Sequence, residues 1–256
     1  MDVYYTQHGK ADETSSDRED TMTRFWHHPT TVKQGDNWTA RLPLHGTDNP
    51  LWVYANVRYA MDAPVVGAGY YYREFVATDF NISSLLDQVS AKELVAAGVK
   101  PVVKPTRLIE SFGPNWQHEW FTYKPNEWAR TTNKLRDDAY RTRGKVNLAI
   151  DVQSNEANQL VVLIDGHAAE VSLSGGEQWQ TVTFEPADFK NYDNEGLADF
   201  VGVRQLKLSP AERLRPKRGN KGPGRIVGRN WRGADPVFRN LRWESSDASQ
   251  LIPSAK

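Results

Sequence analysis

The chain has 256 residues and a formal net charge of zero, with 32 lysines and arginines balanced by 32 aspartates and glutamates. A neutral chain has no overall positive field to draw it to nucleic acid, and no apolar run approaches the roughly 18 residues of a membrane-spanning helix. The sequence contains no cysteine, which excludes disulfides, thiol nucleophiles and cysteine-ligated zinc.

The N-terminal part of the chain predicts short strands and one helix. Residues 2–5 and 51–59 are rich in Tyr and Val, as strands are, and a chain that starts within a strand is expected to belong to a larger protein. Ser90 and Glu93 have the spacing of a capping box, which predicts the start of a short helix. We therefore predict an immunoglobulin-like β-sandwich with a short helix over residues 1–98.

The rest of the chain predicts a second β domain. Residues 99–105 contain two prolines and two lysines and are predicted to be a linker. In residues 106–246, short strands follow one another at hairpin spacing with no amphipathic helix between them, and apolar and polar residues alternate most clearly at 146–152 and 179–184. This pattern predicts an antiparallel sandwich of jelly-roll type and excludes a parallel nucleotide-binding sheet; a polar tail at 247–256 follows it.

Three aromatic motifs across residues 104–246 occur in an order that resembles jelly-roll carbohydrate-binding modules. The opening strand contains Ile109 and Phe112 and is followed by Trp116; the middle strand begins at Trp179 and reads WQTVTFEPADF; the closing strand reads VFRNLRWE. The resemblance implies a jelly-roll fold, carbohydrate binding, and core positions for Trp116 and Trp179.

A narrower resemblance involves the N-terminal part of the chain. The segments that carry it are RFWHHPTTVKQGDNWTARLPL, PLWVYANVRYA, GAGYYYREF and SAKELVAAGV. They resemble the region that follows the catalytic domain in large bacterial α/β-hydrolases of the dienelactone-hydrolase or PhoPQ-regulated type. The resemblance implies a non-catalytic accessory region of an exported hydrolase, with an upstream catalytic domain as its partner and an extracytoplasmic location, periplasmic or secreted.

The sequence lacks motifs for catalysis. An α/β-hydrolase needs Gly-x-Ser-x-Gly at a strand-to-helix turn, and no such pentapeptide occurs. No histidine stands in a His-x-His or His-Glu-x-x-His spacing, so we expect no catalytic metal, although the acidic loop at 193–195 could hold a structural calcium. We predict that the chain is not an enzyme and needs no cofactor. The enzymatic alternative is a jelly-roll polysaccharide lyase built from Gln117, His118, Tyr123 and Arg130.

Residues 213–232 are the strongest compositional anomaly, because eight lysines and arginines occur there without an acidic residue. The glycines and prolines among them predict a loop. This loop could bind the carboxylates or sulfates of an acidic polymer, with Trp231 as a stacking surface. Alternatively, it is a solvated insertion balanced by the acidic loop at 12–20 or by a partner domain; nucleic acid is a third and weaker option.

Aromatic residues between 120 and 128 follow no period-two pattern, so a buried strand cannot easily absorb all of them. Aromatic rings can carry the apolar faces of pyranoses, and neighbouring arginines can bind their charged groups. The competing hypothesis is a structural module that packs on the catalytic domain and buries its aromatic residues there. We predict that the partner is a polysaccharide, neutral or acidic, and that its site is formed by Trp120, Tyr123, Trp128, Arg130, Arg225, Arg229, Trp231 and Arg232.

Overall fold

The computed structural model describes residues 1–7, 24–68, 74–122, 128–216 and 222–245. Strands dominate these residues and helix is scarce, so the predicted all-β class is confirmed. No helix in this part of the chain is long and apolar enough to cross a membrane. Three features predicted from the sequence lie outside the described residues: Tyr123, the acidic loop at 12–20 and the polar tail at 247–256.

The chain divides into two compact units, Met1–Val103 and Lys104–Lys256. The division falls within residues 99–105, for which the sequence predicts a linker. This segment is mostly exposed and belongs to no helix or strand. Each unit is therefore described by itself.

The described part of the first unit contains β1 (Asp2–Thr6), β2 (Thr31–Gln34), β3 (Asn37–Ala40), β4 (Leu51–Ala68), β5 (Glu74–Ser83), β6 (Asp87–Val89) and α1 (Ala91–Ala96). In the main sheet, β1 pairs with one side of β4, while β5 and β6 both pair with the other side. β2 and β3 form a separate antiparallel hairpin. All the pairings are antiparallel, as the sequence predicts.

The short helix of the first unit begins at the predicted capping box. The Glu93 amide donates to the Ser90 hydroxyl at 3.2 Å, and the Ser90 amide donates to the Glu93 carboxylate at 2.8 Å. The core of this unit is small: Tyr5, Leu44, Leu51 and Leu94 form one buried cluster, and Val3 and Phe25 are further buried apolar residues among those described. One four-stranded sheet with a separate hairpin is a simpler arrangement than the seven strands in two facing sheets of an immunoglobulin domain. The described strands therefore show a small antiparallel β unit, and the immunoglobulin-like arrangement stays a prediction.

The second unit is a sandwich of two four-stranded antiparallel sheets. Its strands are β7 (Leu108–Glu110), β8 (Arg130–Thr132), β9 (Val146–Gln153), β10 (Asn158–Ile164), β11 (His167–Leu173), β12 (Trp179–Phe184), β13 (Leu206–Ser209), β14 (Ala211–Leu214), β15 (Arg225–Gly228) and β16 (Val237–Ser245). The "β9 sheet" has the strand order β12-β9-β16-β7, and the "β10 sheet" has the order β11-β10-β13-β8. The chain passes repeatedly from one sheet to the other, which is the connectivity expected of a jelly roll.

The inner sides of the two sheets form the main hydrophobic core. Alternate residues of β9 and β10 point into it, because side chains in a strand alternate between its two sides. The period-two pattern at 146–152 therefore predicts this core correctly. The six residues that these two strands contribute are fully buried: Leu148, Ile150, Val152, Leu160, Val162 and Ile164.

A second, smaller apolar layer covers the outer side of the β10 sheet. β14 and β15 pair as a hairpin, and this hairpin packs on β10 and β11. The expectation that residues 213–232 are loop-like is wrong for these two strands. Few apolar side chains occur among the charged ones in these two strands. Packing on the sheet buries Leu214 and partly buries Val227, whereas Ile226 stays exposed. The layer consists of Val161, Ala168 and Leu214, with Leu163, Tyr192 and Val227 packed around them.

Candidate functional site

Trp120, predicted to face a polysaccharide, lies in the main core of the second unit. Its side chain is 4% exposed, and its indole N–H donates to a Glu110 carboxylate oxygen at 3.0 Å. The same carboxylate pairs with the buried ammonium of Lys134 at 2.5 Å, and Lys134 also lies 2.6 Å from a carboxylate oxygen of Glu119. A Trp whose ring and N–H are both occupied inside the protein has no face left for a sugar. The predicted role of Trp120 is therefore wrong.

Trp128 and Trp231 are brought together by the fold, as the prediction requires, but they pack on each other. Their ring centres lie 5.0 Å apart at an interplanar angle of 73°, and Trp128 also contacts Phe238. The Trp231 indole N–H donates to the Ala234 carbonyl at 2.8 Å. Both rings are partly buried against the main core. Their geometry is that of an edge-to-face packing pair rather than of an open stacking surface.

The predicted arginines bind different neighbours. Arg225 donates to the carbonyl of Asn191 at 2.6 Å, and Arg229 donates to the side-chain oxygen of Gln159. The backbone of Arg232 is held by the side chain of Asn158, which accepts from its N–H and donates to its carbonyl. Arg130 is partly buried and donates to the carbonyl of Ala129. The contacts of Arg229 and Arg232 attach the basic segment to β10, whereas Arg225 contacts a loop residue and Arg130 lies in β8.

The structure provides no support for a lyase site formed by the four residues named for that alternative. Gln117 and His118 lie in a short 3-10 turn, Trp116–Glu119, and both are exposed. Arg130 lies in β8, and Tyr123 is outside the described residues.

Trp179, predicted to be a core residue, lies on the outer side of the β9 sheet. In β12, Val182 and Phe184 are buried, so that Trp179, Thr181 and Thr183 face outward. Trp179 is 38% exposed. Its expected core position is wrong, because the alternation of β12 places every second residue, starting from Trp179, away from the core.

Trp179 belongs to an ordered polar surface across three neighbouring strands. The guanidinium of Arg239, on β16, lies 4.0 Å from the centre of the Trp179 ring. The Nε of Arg239 donates at 3.1 Å to Asp151, on β9 between them. Asp151 also accepts from Thr181 at 2.9 Å, from Asn240 at 3.0 Å and from Arg242 at 3.3 Å. We call this surface the "Trp179 face" and define it by Trp179, Thr181, Asp151, Arg239, Asn240 and Arg242.

The electrostatics of the Trp179 face are balanced around Asp151. Burial by itself would raise the pKa of Asp151, but hydrogen bonds from Asn240, Thr181, Arg239 and Arg242 outweigh burial, and the pKa lies below its ordinary value. Arg242 also pairs with Glu244 at 2.6 Å. Together with Glu244, which borders the face, two arginines thus meet two carboxylates, and their charges balance. The terminal nitrogens of Arg239 form no hydrogen bond with a described residue, so they can donate to a ligand.

The residues around Trp179 are missed by sequence reasoning, although one signal is present. Asp151 interrupts the apolar strand Val146–Gln153 with a charge. A carboxylate in such a strand requires partners, because an unpaired buried charge is strongly unfavourable. Those partners come from β12 and β16, and their identity depends on the strand order, which the sequence does not show.

No protein-family model, no curated protein and no solved structure matches this chain. The resemblances to carbohydrate-binding modules and to a hydrolase accessory region therefore remain predictions. A functional proposal for this chain has to rest on its own geometry.

Proposed function

We propose that the chain is a non-catalytic accessory region whose second unit binds polysaccharide, and that the Trp179 face is the binding surface. The observation that carries this proposal is the Trp179 ring on the outer side of a sheet, which is 38% exposed and has the guanidinium of Arg239 over one of its faces. An indole offers a broad apolar surface on which the C–H side of a pyranose can lie. Because the face is neutral, its ligand is a neutral polysaccharide.

The polar part of the Trp179 face is ordered before a ligand arrives. Asp151 holds Arg239 at Nε, so the guanidinium plane stays against the Trp179 ring and its free N–H groups can donate to sugar hydroxyls. A side chain that is already fixed loses less conformational entropy on binding. This ordering supports a binding role over that of an incidental surface Trp.

The broader context of this proposal comes from the sequence. The chain has no nucleophile elbow, and its N-terminal part resembles the accessory region of exported α/β-hydrolases. In that context the second unit would hold an upstream catalytic domain, outside the cytoplasm, close to a polymeric substrate.

One observation favours a packing role for the first unit. The β4–β5 hairpin exposes several large apolar side chains: Tyr59, Val65, Val66, Val76, Phe80 and Ile82, each 47–63% exposed. Exposed apolar surface of this extent is typical of an interaction surface. The second candidate function is therefore a module whose first unit packs on another domain, and this function is compatible with sugar binding by the second unit.

The proposal is tested by Trp179→Ala in affinity electrophoresis through gels that contain neutral polysaccharides such as xylan, hydroxyethyl cellulose or β-glucan. We expect the variant to migrate as fast as in a gel without polymer, whereas the parent chain is retarded. The melting temperature should change little, because exposed substitutions usually alter stability by about 0.5 kcal/mol or less. Arg239→Ala should weaken retardation in part.

Trp38→Ala is the matched control, because Trp38 is 42% exposed and lies in the first unit. It should be retarded like the parent chain. Equal retardation of Trp179→Ala and the parent in every gel that retards the parent would refute the Trp179 face as the binding surface. No retardation of the parent by any neutral polymer would refute neutral-polysaccharide binding altogether.

A further inference from the structure

The second unit has a cavity of 780 Å³ on the outer side of the β10 sheet, beside the β14–β15 hairpin. This volume is within the range of small-molecule sites, roughly 300–1,000 Å³. The cavity lies on the other sheet from the Trp179 face and shares no residue with it. Its described lining consists of Thr122, Ala129, Thr131, Lys207, Ala211, Glu212, Arg213, Arg215, Ile226 and Asn230.

The charge of the cavity is positive and only partly compensated. Lys207 and Glu212 form an ion pair with each other. Arg213 and Arg215 are exposed, and neither side chain forms an ion pair or hydrogen bond with the part of the chain that the structure describes. Among the described residues, the lining therefore has two guanidinium groups without a counter-charge, in contrast to the neutral Trp179 face.

The fold fixes the position of these arginines. Leu214 packs inward on Val161 and Ala168, so its neighbours Arg213 and Arg215 are turned away from the sheet. Gly224, across the hairpin, leaves room for the stem of Arg213: a Cβ atom at Gly224 would lie 2.5 Å from Arg213 Cγ. Arg213 lies in β14 and Arg215 follows directly after its last residue, so both line the cavity from the same end of the strand, which suits binding of one ligand by both.

We propose that this cavity is a second polysaccharide site, and that it binds the carboxylate or sulfate groups of an acidic glycan through Arg213 and Arg215. The planar guanidinium forms paired, charge-assisted hydrogen bonds to such oxyanions. Hydroxyl and amide groups in the lining, from Thr131 and Asn230, can bind the sugar hydroxyls. This inference rests on the proposed function in one respect: the ligand is a glycan.

Nucleic acid fits the cavity less well than an acidic glycan does. Binding of single-stranded nucleic acid depends on aromatic side chains that stack on the bases. None of the described lining residues is aromatic. Hydroxyl, amide and arginine groups, by contrast, match the alternation of hydroxyls and charged groups along an acidic polysaccharide.

The experiment measures binding of the full chain to polygalacturonate, which has carboxylates, to dextran sulfate, which has sulfates, and to neutral dextran. The test variant is Arg213→Ser/Arg215→Ser. The matched control is Arg143→Ser/Arg204→Ser, which removes two exposed arginines of the same unit that do not line the cavity. Circular dichroism and thermal melting confirm that both variants remain folded.

We expect the test variant to bind at least one of the two acidic polymers roughly tenfold or more weakly, because two charge-assisted contacts are lost. The control should bind like the parent. Binding by the parent should weaken steeply as salt rises, since charges at an open site are screened. The polymer whose binding is lost identifies carboxylate or sulfate as the group recognised.

Three results would overturn the inference: equal affinity of the test variant and the parent for both acidic polymers, equal losses in the test and control variants, or no binding of either polymer by the parent. Tighter binding of an oligodeoxynucleotide, abolished in the test variant, would replace the glycan with nucleic acid. Trp179→Ala separates the two sites, because it should leave acidic-polymer binding unchanged. If Trp179→Ala loses neutral-glycan binding and Arg213→Ser/Arg215→Ser keeps it, the Trp179 face is supported. That conclusion does not depend on how the arginine variant binds acidic polymers.

Discussion

Asp151 shows how a single carboxylate can organise the open side of a sheet. It lies in the central part of the β9 sheet and is only 6% exposed, yet it accepts hydrogen bonds from groups on both neighbouring strands. Those donors hold its pKa below the ordinary value although burial acts in the opposite direction. The same contacts keep Arg239 beside Trp179. Stability, and the ligand recognition that we propose for the Trp179 face, therefore both depend on one ionised group.

Asp151→Asn should make stability less dependent on pH in the acid range. Because the pKa of Asp151 is lower in the folded chain than in the unfolded chain, this residue stabilises the fold above its ordinary pKa of about 3.9. That contribution disappears as the pH falls through the folded-state pKa. At neutral pH the variant should lose about 1–3 kcal/mol, since hydrogen bonds to a charged acceptor are removed.

The measurement is urea unfolding of the parent and Asp151→Asn at several pH values from neutral to about 3. The difference between their free energies of unfolding should shrink as the pH falls below about 4. A difference that stays constant over this range would show that the ionised form of Asp151 has no special role.

Trp120 is predicted to be exposed but is buried, whereas Trp179 is predicted to be buried but is exposed. These two residues show what the sequence can and cannot reveal about a site. The alternation of β12 contains enough information to place Trp179 outside, because Val182 and Phe184 need the inner side. The motif resemblance points the other way and is misleading. Trp120 follows the 3-10 turn Trp116–Glu119, and the direction of its side chain depends on that turn and on the buried Glu110 carboxylate, which no local pattern reveals.

At the scale of elements, the β14–β15 hairpin is held close to the sheet by a glycine. Gly228 has a φ of +77°, and a Cβ atom there would lie 2.3 Å from the Pro210 carbonyl oxygen and 2.4 Å from a methyl group of Val161. Its amide also donates to the Glu170 carboxylate at 2.9 Å. The absence of a side chain therefore allows the hairpin to cover Val161 completely.

Gly228→Ala should lift the hairpin and destabilise the second unit. Two costs are expected: about 1–2 kcal/mol for the left-handed backbone and about 1–3 kcal/mol more for the steric overlap. Gly202→Ala is the matched control, because Gly202 has the same φ of +77° and a Cβ atom there would have no other atom within 4 Å. The control isolates the backbone cost.

Both variants are compared with the parent by urea unfolding. The loss in Gly228→Ala should exceed that in Gly202→Ala. Similar losses would mean that the hairpin is not tightly packed, and the placement of Arg213 beside the cavity would then lose its structural basis.

The strands differ in how well the sequence predicts them. β9 and β12 are predicted correctly because apolar and polar residues alternate along them and one side of each strand packs into the core. For β14 and β15 the sequence predicts a loop, because their arginines and glycines outnumber the few residues that pack inward, among them Leu214 and Val227. A hairpin that packs on an existing sheet needs only a few apolar contacts, and so few contacts leave no periodic signal.

At the scale of the whole molecule, we expect early proteolysis in the segment that connects the two units. Residues 99–105 have no secondary structure, and Val102 is 55% exposed. Both lysines of this segment precede prolines, so trypsin is a poor probe there, whereas thermolysin cuts before large apolar residues such as Val102.

Brief thermolysin digestion should therefore yield a resistant fragment that begins between residues 99 and 105 and contains the strands β9–β12. Its boundaries are determined by mass spectrometry. Cleavage between residues 146 and 184 before any cut at 99–105 would contradict the assignment of a stable sandwich to the second unit. Early cuts elsewhere would not.

The two candidate sites could not have been assembled from the sequence. Asp151 and Arg239 are 88 positions apart, and the cavity joins residues from 122 to 230. Composition reveals the positive charge of the basic segment, and periodicity reveals the sandwich. Which side chains come into contact depends on the order of the strands in the sheets, and that order is a property of the complete fold.

The position of β16 has a consequence for biosynthesis. This strand comes last in the sandwich sequence, yet it lies inside the β9 sheet, between β9 and β7. While the ribosome makes the preceding residues, β9 has one open edge and β7 has no partner in its sheet. The sandwich therefore cannot close until residues 237–245 have been synthesised. Until then, its unpaired apolar strands can pair with other chains. Strand pairing over such a long sequence separation is expected to make closure of the sandwich slow.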